Sequence, residues 1–163
     1  MSQKNTVYDR LSKQQISYRT AEHEAVFTID EMRGLDFPEE TKVAKNLFLR
    51  DAKGKRHFLI TLEPDTRADL KLLAEKFSST KLSFASDERL LKYLGLYKGA
   101  VSPFGLINDG DNQVEFYIDK KLSHCKSLGV HPNDNRATVF LDCDCLVKFI
   151  ESTGHKVHFF SLD

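Results

Sequence analysis

The sequence predicts an α/β (α+β) fold, a single domain spanning residues 1–163 with a mixed β-sheet and helices packed on it. Three observations carry that expectation. Segments of strand period and of helix period are intermixed along the chain rather than segregated. Two apolar runs near the middle, Lys45–Arg50 and His57–Leu62, flank a charged turn at residues 51–56 that contains Gly54, the pattern of a strand hairpin. A chain of 163 residues is also long enough for one core. At this size about 68–70% of the unfolded surface is buried without metal or disulfide staples.

The elements follow in order. Thr6 is placed to cap a first helix bearing Val7, Tyr8 and Leu11, followed by an extended Ile16-Ser17-Tyr18 segment. Thr28 and Glu31 form a capping-box pair opening a short helix that Gly34 can end. After the hairpin, Leu70, Leu73, Ala74 and Phe77 recur at i, i+3, i+4 and i+7, which predicts a helix with one apolar face. Ser86 reads as the N-cap of the next helix, with Asp87 and Glu88 in its positive first turn, a Leu90, Leu91 and Leu94 stripe, and Gly95 as its stop. Val114, Phe116 and Ile118 alternate with Glu115, Tyr117 and Asp119, a half-buried strand entered from the turn Asp109-Gly110-Asp111-Asn112. Ala137–Leu141 is another strand. Asp142 can cap a helix bearing Leu146, Phe149 and Ile150, Gly154 can end it, and a last strand covers residues 156–160.

Composition excludes several classes of function. The 24 basic residues equal the 24 acidic ones, so the chain is no strongly cationic nucleic-acid coat, although a local basic patch remains open. Hydrophobic residues at 40%, with eight glycines and four prolines, exclude disorder and collagen-like repeats. Three cysteines make an odd number, and Cys143 and Cys145 are too close to staple much chain, which points to a reducing compartment. Residues 1–15 lack the apolar stretch of a signal peptide, and no run approaches the ~18 apolar residues of a membrane helix. A soluble cytoplasmic protein is expected, with no membrane partner.

The common catalytic patterns fail on their chemistry. Ala100-Val101-Ser102-Pro103-Phe104-Gly105 has the outline of a nucleophile elbow but lacks the first glycine. The residue after such a nucleophile supplies an oxyanion-hole N–H, and Pro103 has none. His155 and His158, three apart on a strand, face opposite sides. Cys143 and Cys145 flank Asp144 at a helix start, His124-Cys125 lacks zinc spacing, and the turn at 109–112 lacks the later glutamate of a calcium loop. No metal and no cofactor is expected. Three polar groupings are left: Lys45-Asn46, Gly99-Ala100-Val101-Ser102-Pro103, and His131-Pro132-Asn133-Asp134-Asn135. Composition and spacing leave open whether these are loops or a site.

Those three groupings, together with Ala25-Val26-Phe27-Thr28, the run Lys45-Asn46-Leu47-Phe48-Leu49-Arg50-Asp51, and Leu82-Ser83-Phe84-Ala85-Ser86, resemble in order the YbaK/ProX family of aminoacyl-tRNA deacylases. These are free-standing relatives of the editing domain inserted in bacterial prolyl-tRNA synthetase. The resemblance spans about residues 15–150 and is nearest the ProX (PrdX-like) branch. It implies a twisted mixed sheet with packed helices, and a trans-editing deacylase that hydrolyses the ester of mischarged tRNA(Pro), with alanine as the misacylated residue. Cys-tRNA(Pro), or non-catalytic capture of aminoacyl-tRNA or a synthetase, are the alternatives. Implied partners are the acceptor end of tRNA(Pro) and, beyond it, prolyl-tRNA synthetase or an elongation factor. The aminoacyl ester is already activated, so positioning and electrostatics can replace a protein nucleophile. The resemblance places Lys45 in the site, holding the 3′-terminal phosphate or ribose, and turns the amides of the loop Gly99, Ala100, Val101, Ser102 and Pro103 toward the ester carbonyl. Asn46, His131, Asn135 and Arg50 are implied on the substrate side. Lys42, Lys53, Lys55 and Arg56 could extend a basic patch.

Overall fold

The computed structural model describes residues 2–26, 28, 30–31, 35 and 37–162. Within them the chain builds two mixed sheets where the sequence suggested one. Its helices are α1 (Gln3–Lys13), α2 (Leu70–Lys76), α3 (Asp87–Leu94) and α4 (Cys143–Ser152), with a 3-10 helix at Pro103–Asn108. The strands are β1 (Arg19–Glu22), β2 (Lys42–Val43), β3 (Lys45–Arg50), β4 (His57–Leu62), β5 (Ser83–Phe84), β6 (Val114–Asp119), β7 (Leu128–Val130), β8 (Ala137–Leu141) and β9 (Val157–Phe160). The first sheet runs β1-β8-β7-β2 and the second β5-β3-β4-β6-β9. Antiparallel pairing joins β3 to β4 from Lys45 opposite Leu62 to Arg50 opposite His57, as the hairpin pattern requires. The β4–β6 and β6–β9 pairs are parallel, with chain crossing over between them.

β4 organises the interior. Every one of its positions is buried. Phe58, Ile60 and Leu62 enter one core cluster with Leu49, Leu73 and Phe77. Leu59 enters the other, with Leu94, Phe104, Phe116 and Phe149. A strand covered on both faces reads as a continuous apolar run, and the sequence His-Phe-Leu-Ile-Thr-Leu shows it. Its two polar members are paired: Thr61 donates its hydroxyl to Asn46 Oδ1 at 2.7 Å, and His57 Nε2 meets Arg89 at 2.9 Å.

Local signals set most boundaries. Ser86 and Asp142 cap α3 and α4 through bonds from Arg89 N and Cys145 N, and Gly95 ends α3 at φ 65°. α1 begins earlier than expected. Ser2 is its N-cap, accepting from Asn5 N, while the Thr6 hydroxyl bonds back to Ser2 O at 3.0 Å, as a threonine inside a first turn can. Ile16-Ser17-Tyr18 is a connection rather than a strand, which starts at Arg19. The Thr28–Glu31 box forms in part, Glu31 N donating to Thr28 Oγ1 at 3.1 Å; Gly34, the expected stop, lies outside the described residues.

A buried staple fixes the start of β6 to the end of α4. Asp109, 5% exposed, accepts from Gln113 N at 3.0 Å and Val114 N at 2.8 Å, and its Oδ2 lies 2.8 Å from Nε2 of the buried His155. Removing the carboxylate strands several buried partners, each at about 1–3 kcal/mol. Asp109→Ala should therefore lose about 3 kcal/mol or more in chemical denaturation. A loss under about 1 kcal/mol would show that the staple is not stabilising.

Candidate active site

The chain changes sheets at Ala44. Ala44 N donates to Gly129 O at 3.0 Å, continuing the parallel pairing of β2 with β7, and the next residue opens β3 in the other sheet. A cavity of about 240 Å³ lies at this junction. Its apolar wall is Val26, Val43, Val101 and Val130, and its polar groups come from Thr28, Lys45, Asn46, Gly99 and His131. Four segments far apart in sequence thus meet where the sheets do.

Each polar group has one function occupied inside the protein and another to offer. Lys45 Nζ donates to Thr66 O at a long 3.4 Å, which leaves most of its three-donor capacity unused. Asn46 Oδ1 is taken by Thr61, so its remaining function is the amide donor. His131 Nδ1 lies 2.8 Å from Ala137 O; a carbonyl only accepts, so Nδ1 carries a proton and Nε2 of the neutral ring is an acceptor. Burial pushes this imidazole below the ordinary histidine value, against the opposing pull of the Ala137 carbonyl, so the neutral form prevails at pH 7. Gly99 has φ 92°, a backbone that residues with a Cβ rarely adopt. In the loop after it, Ala100 N is spent on Tyr97 O at 3.0 Å. The amides of Gly99 and Val101 donate to none of the described residues.

Lys45, Asn46, Gly99, Val101 and His131 therefore come together. The other expected residues stand elsewhere. Ala100 and Ser102 are fully buried and Pro103 is buried beside them, behind the wall rather than on it. Ser102 Oγ donates to His131 O at 2.6 Å and accepts from Phe104 N at 3.1 Å, so this serine caps the 3-10 helix and ties it to the histidine. Asn135 is 2% exposed and its amide is engaged at both ends. Arg50 sits at the far end of β3, five residues or ~16 Å from Lys45 at strand rise, bonding the carbonyls of Asp51 and Ala52. Arg56 is likewise occupied by Glu115 at 2.8 Å. Of the basic patch, Lys45 lines the cavity, while Lys42, in β2, lines the neighbouring cleft.

Val43, Ala44, Gly129 and Val130 line the cavity without any local sequence signal, because only the β2–β7 pairing brings them there. Among the described residues no three His, Cys, Asp or Glu side chains cluster as metal ligands do. Cys143 is buried, and its thiol is pushed up to about 12 by that burial and by Asp144, which makes it a poor nucleophile. His155 and His158 do part, one buried and one exposed, but not by strand alternation: His155 precedes β9 and is held by Asp109.

The fold thus presents a small valine-walled cavity where a lysine ammonium, an imidazole and backbone amides that donate to none of the described residues come together. Comparison with known proteins makes the class specific. Residues 23–149 match the model of the aminoacyl-tRNA editing domain. The chain is 48% identical to the prolyl-tRNA editing protein ProX of Acetoanaerobium sticklandii, over 95% of this chain and 94% of that one. It is 32% identical to prolyl-tRNA synthetase associated domain-containing protein 1 of Danio rerio, over 94% of this chain and 84% of that one. The crystal structure of a protein taken to be a trans-editing enzyme for prolyl tRNA synthetase has the same fold, with a TM-score of 0.70 at 18% identity over 98% and 96% of the two chains. The chain belongs to the aminoacyl-tRNA editing domain family, and it is an ester hydrolase acting on aminoacyl-tRNA.

Ser102→Ala separates capping from catalysis. It should cost about 1–2 kcal/mol of stability through the lost cap and the lost bond to His131 O. Deacylation should stay within about tenfold of the parent protein, since this hydroxyl is buried and engaged by His131 O and Phe104 N. An acyl group trapped on Ser102 would contradict this.

Proposed function

We infer that the protein is a trans-editing deacylase of mischarged tRNA(Pro), acting in the cytoplasm, with alanine as the residue it removes. The observation that carries this reading is the cavity at the sheet junction, small and valine-walled, with Lys45, Asn46 and His131 also lining it. The similarity to the prolyl-tRNA editing protein supports the tRNA. In this reading Lys45 makes a charge-assisted hydrogen bond to the terminal phosphate or ribose. Asn46 donates its amide beside it. The ester carbonyl lies against the amides of Gly99 and Val101, which donate hydrogen bonds to the negative charge that develops on its oxygen. His131 Nε2 accepts a hydrogen bond from the attacking water or the neighbouring ribose hydroxyl and holds it in line. Water oxygen bonds to the carbonyl carbon, the bond to the ribose oxygen breaks, and the free amino acid and the ribose hydroxyl leave. The valine wall admits a methyl side chain and excludes the pyrrolidine ring of the correct product, the logic of a second sieve. Prolyl-tRNA synthetase is the source of the mischarged substrate and the natural partner.

A panel of tRNA(Pro) charged with alanine, cysteine, serine and proline tests the reading. Alanyl ester should disappear fastest and prolyl ester negligibly. Equal rates for alanine and proline would refute editing, preference for cysteine would change the substrate, and binding without hydrolysis would mark a capture module.

Two further outcomes follow from single residues. The contact assigned to Lys45 is worth about 1.5–3 kcal/mol, so Lys45→Ala should lower kcat/KM roughly ten- to hundred-and-fifty-fold with little change in melting temperature. Full activity in that variant would remove Lys45 from the site. For His131 the acceptor is lost on protonation. Because burial lowers its pKa, the acid limb of kcat/KM should have its midpoint below the ordinary 6.5. A midpoint at or above that value would exclude His131 as the titrating group.

A further inference from the structure

Asn135 ties Val26, a wall of the cavity, to Tyr97 on the approach to the Gly99 loop, without lining the cavity itself. Its Nδ2 donates to Val26 O at 2.8 Å, and Val26 N returns a bond to Asn135 O at 3.2 Å, so the Val26 backbone is held on both sides by one residue. Its Oδ1 accepts from Tyr97 Oη at 3.2 Å, and its own N–H reaches the same hydroxyl at 3.4 Å. Val26, 6% exposed, is cavity wall. Tyr97 lies two residues before Gly99, and Asn135 lies four residues after His131. The Tyr97 ring is 48% exposed, so its hydroxyl rather than its burial accounts for its place here.

We propose that Asn135 is a positioning residue for substrate selection: with Tyr97 it fixes the distance between the Val26 wall and the Gly99 loop and thereby sets the largest aminoacyl side chain the cavity accepts. This rests on the deacylase reading given above. A rigid wall matters for exclusion more than for hydrolysis. The small alanyl group fits whether or not Val26 holds its place, whereas a ring enters only if the wall can yield. Small discriminations of this kind need a site that does not relax, since a difference of two methylenes in an apolar pocket is otherwise worth only a modest ratio. The paired bonds between Asn135 and Val26, the amide one buried, and the two bonds between Asn135 and the Tyr97 hydroxyl supply that rigidity together.

The test uses Asn135→Ala and Tyr97→Phe in the full chain, the second removing one hydroxyl from an exposed ring and so keeping the fold. Amide exchange at Val26 and the ratio of alanyl- to prolyl-tRNA(Pro) deacylation are measured on each. Exchange at Val26 should quicken at least tenfold while that of Ile60, inside β4, is unchanged. The alanyl-to-prolyl ratio should fall at least fivefold, mainly through a faster prolyl reaction. Unchanged exchange at Val26 overturns the clamp, and both esters slowing in parallel overturns its part in selection. If the parent protein hydrolyses neither ester, the deacylase reading and the selection built on it both fail, while exchange at Val26 still decides whether the clamp holds the wall.

Discussion

The bond from Ala44 N to Gly129 O ends one sheet one residue before another begins. A chain that passes directly between two sheets cannot fill the corner with its own backbone, and at this corner the cavity lies. The residue that follows the switch is Lys45, so a strand-end lysine, which elsewhere would be an ordinary solvated charge, stands at the mouth of a valine-lined space. His131 arrives by the same pairing, because β7 ends at Val130. Altering the β2–β7 contact would displace both groups at once.

Around that corner the loops are held by buried polar ties rather than by apolar packing alone. Ser102 joins the 3-10 helix to His131, and Asn135 joins Val26 to Tyr97. Groups buried without partners are expensive, so each tie fixes its loop in one arrangement. The consequence is chemical. An aminoacyl ester needs no strong nucleophile, only a water, a carbonyl and a ribose kept in register. Ser102, the residue that most looks like a nucleophile in the sequence, has its hydroxyl spent on His131 O and Phe104 N.

Much of the second sheet was legible in the sequence, but of the first only β8. β3, β4 and β8 and the starts of α3 and α4 could be read to the residue, because each carries its own signal: a two-sided apolar run, or a Ser or Asp cap. β1, β2, β5 and β7 have four, two, two and three residues, and β1 is largely exposed and polar. Such strands exist only through their partners, which no local pattern reveals. The site divides the same way. Lys45, Asn46, the Gly99 loop and His131 were visible through family resemblance, while Gly129 and Val130 were not, since a short strand's pairing places them. Asn135 was legible as a polar residue near the site, but the inward turn of its amide depends on Val26 and Tyr97, 109 and 38 residues away.

The central claim is that the substrate's aminoacyl end enters the junction between the sheets. A hydrolysis-resistant amide analogue of 3′-alanyl-adenosine, titrated into the labelled protein and followed by amide chemical shifts, tests it most directly. The account predicts that the largest shifts fall on Lys45, Gly99, Val101 and His131. Shifts centred instead on the neighbouring cleft between Phe37 and Pro64, with those four unmoved, would contradict it.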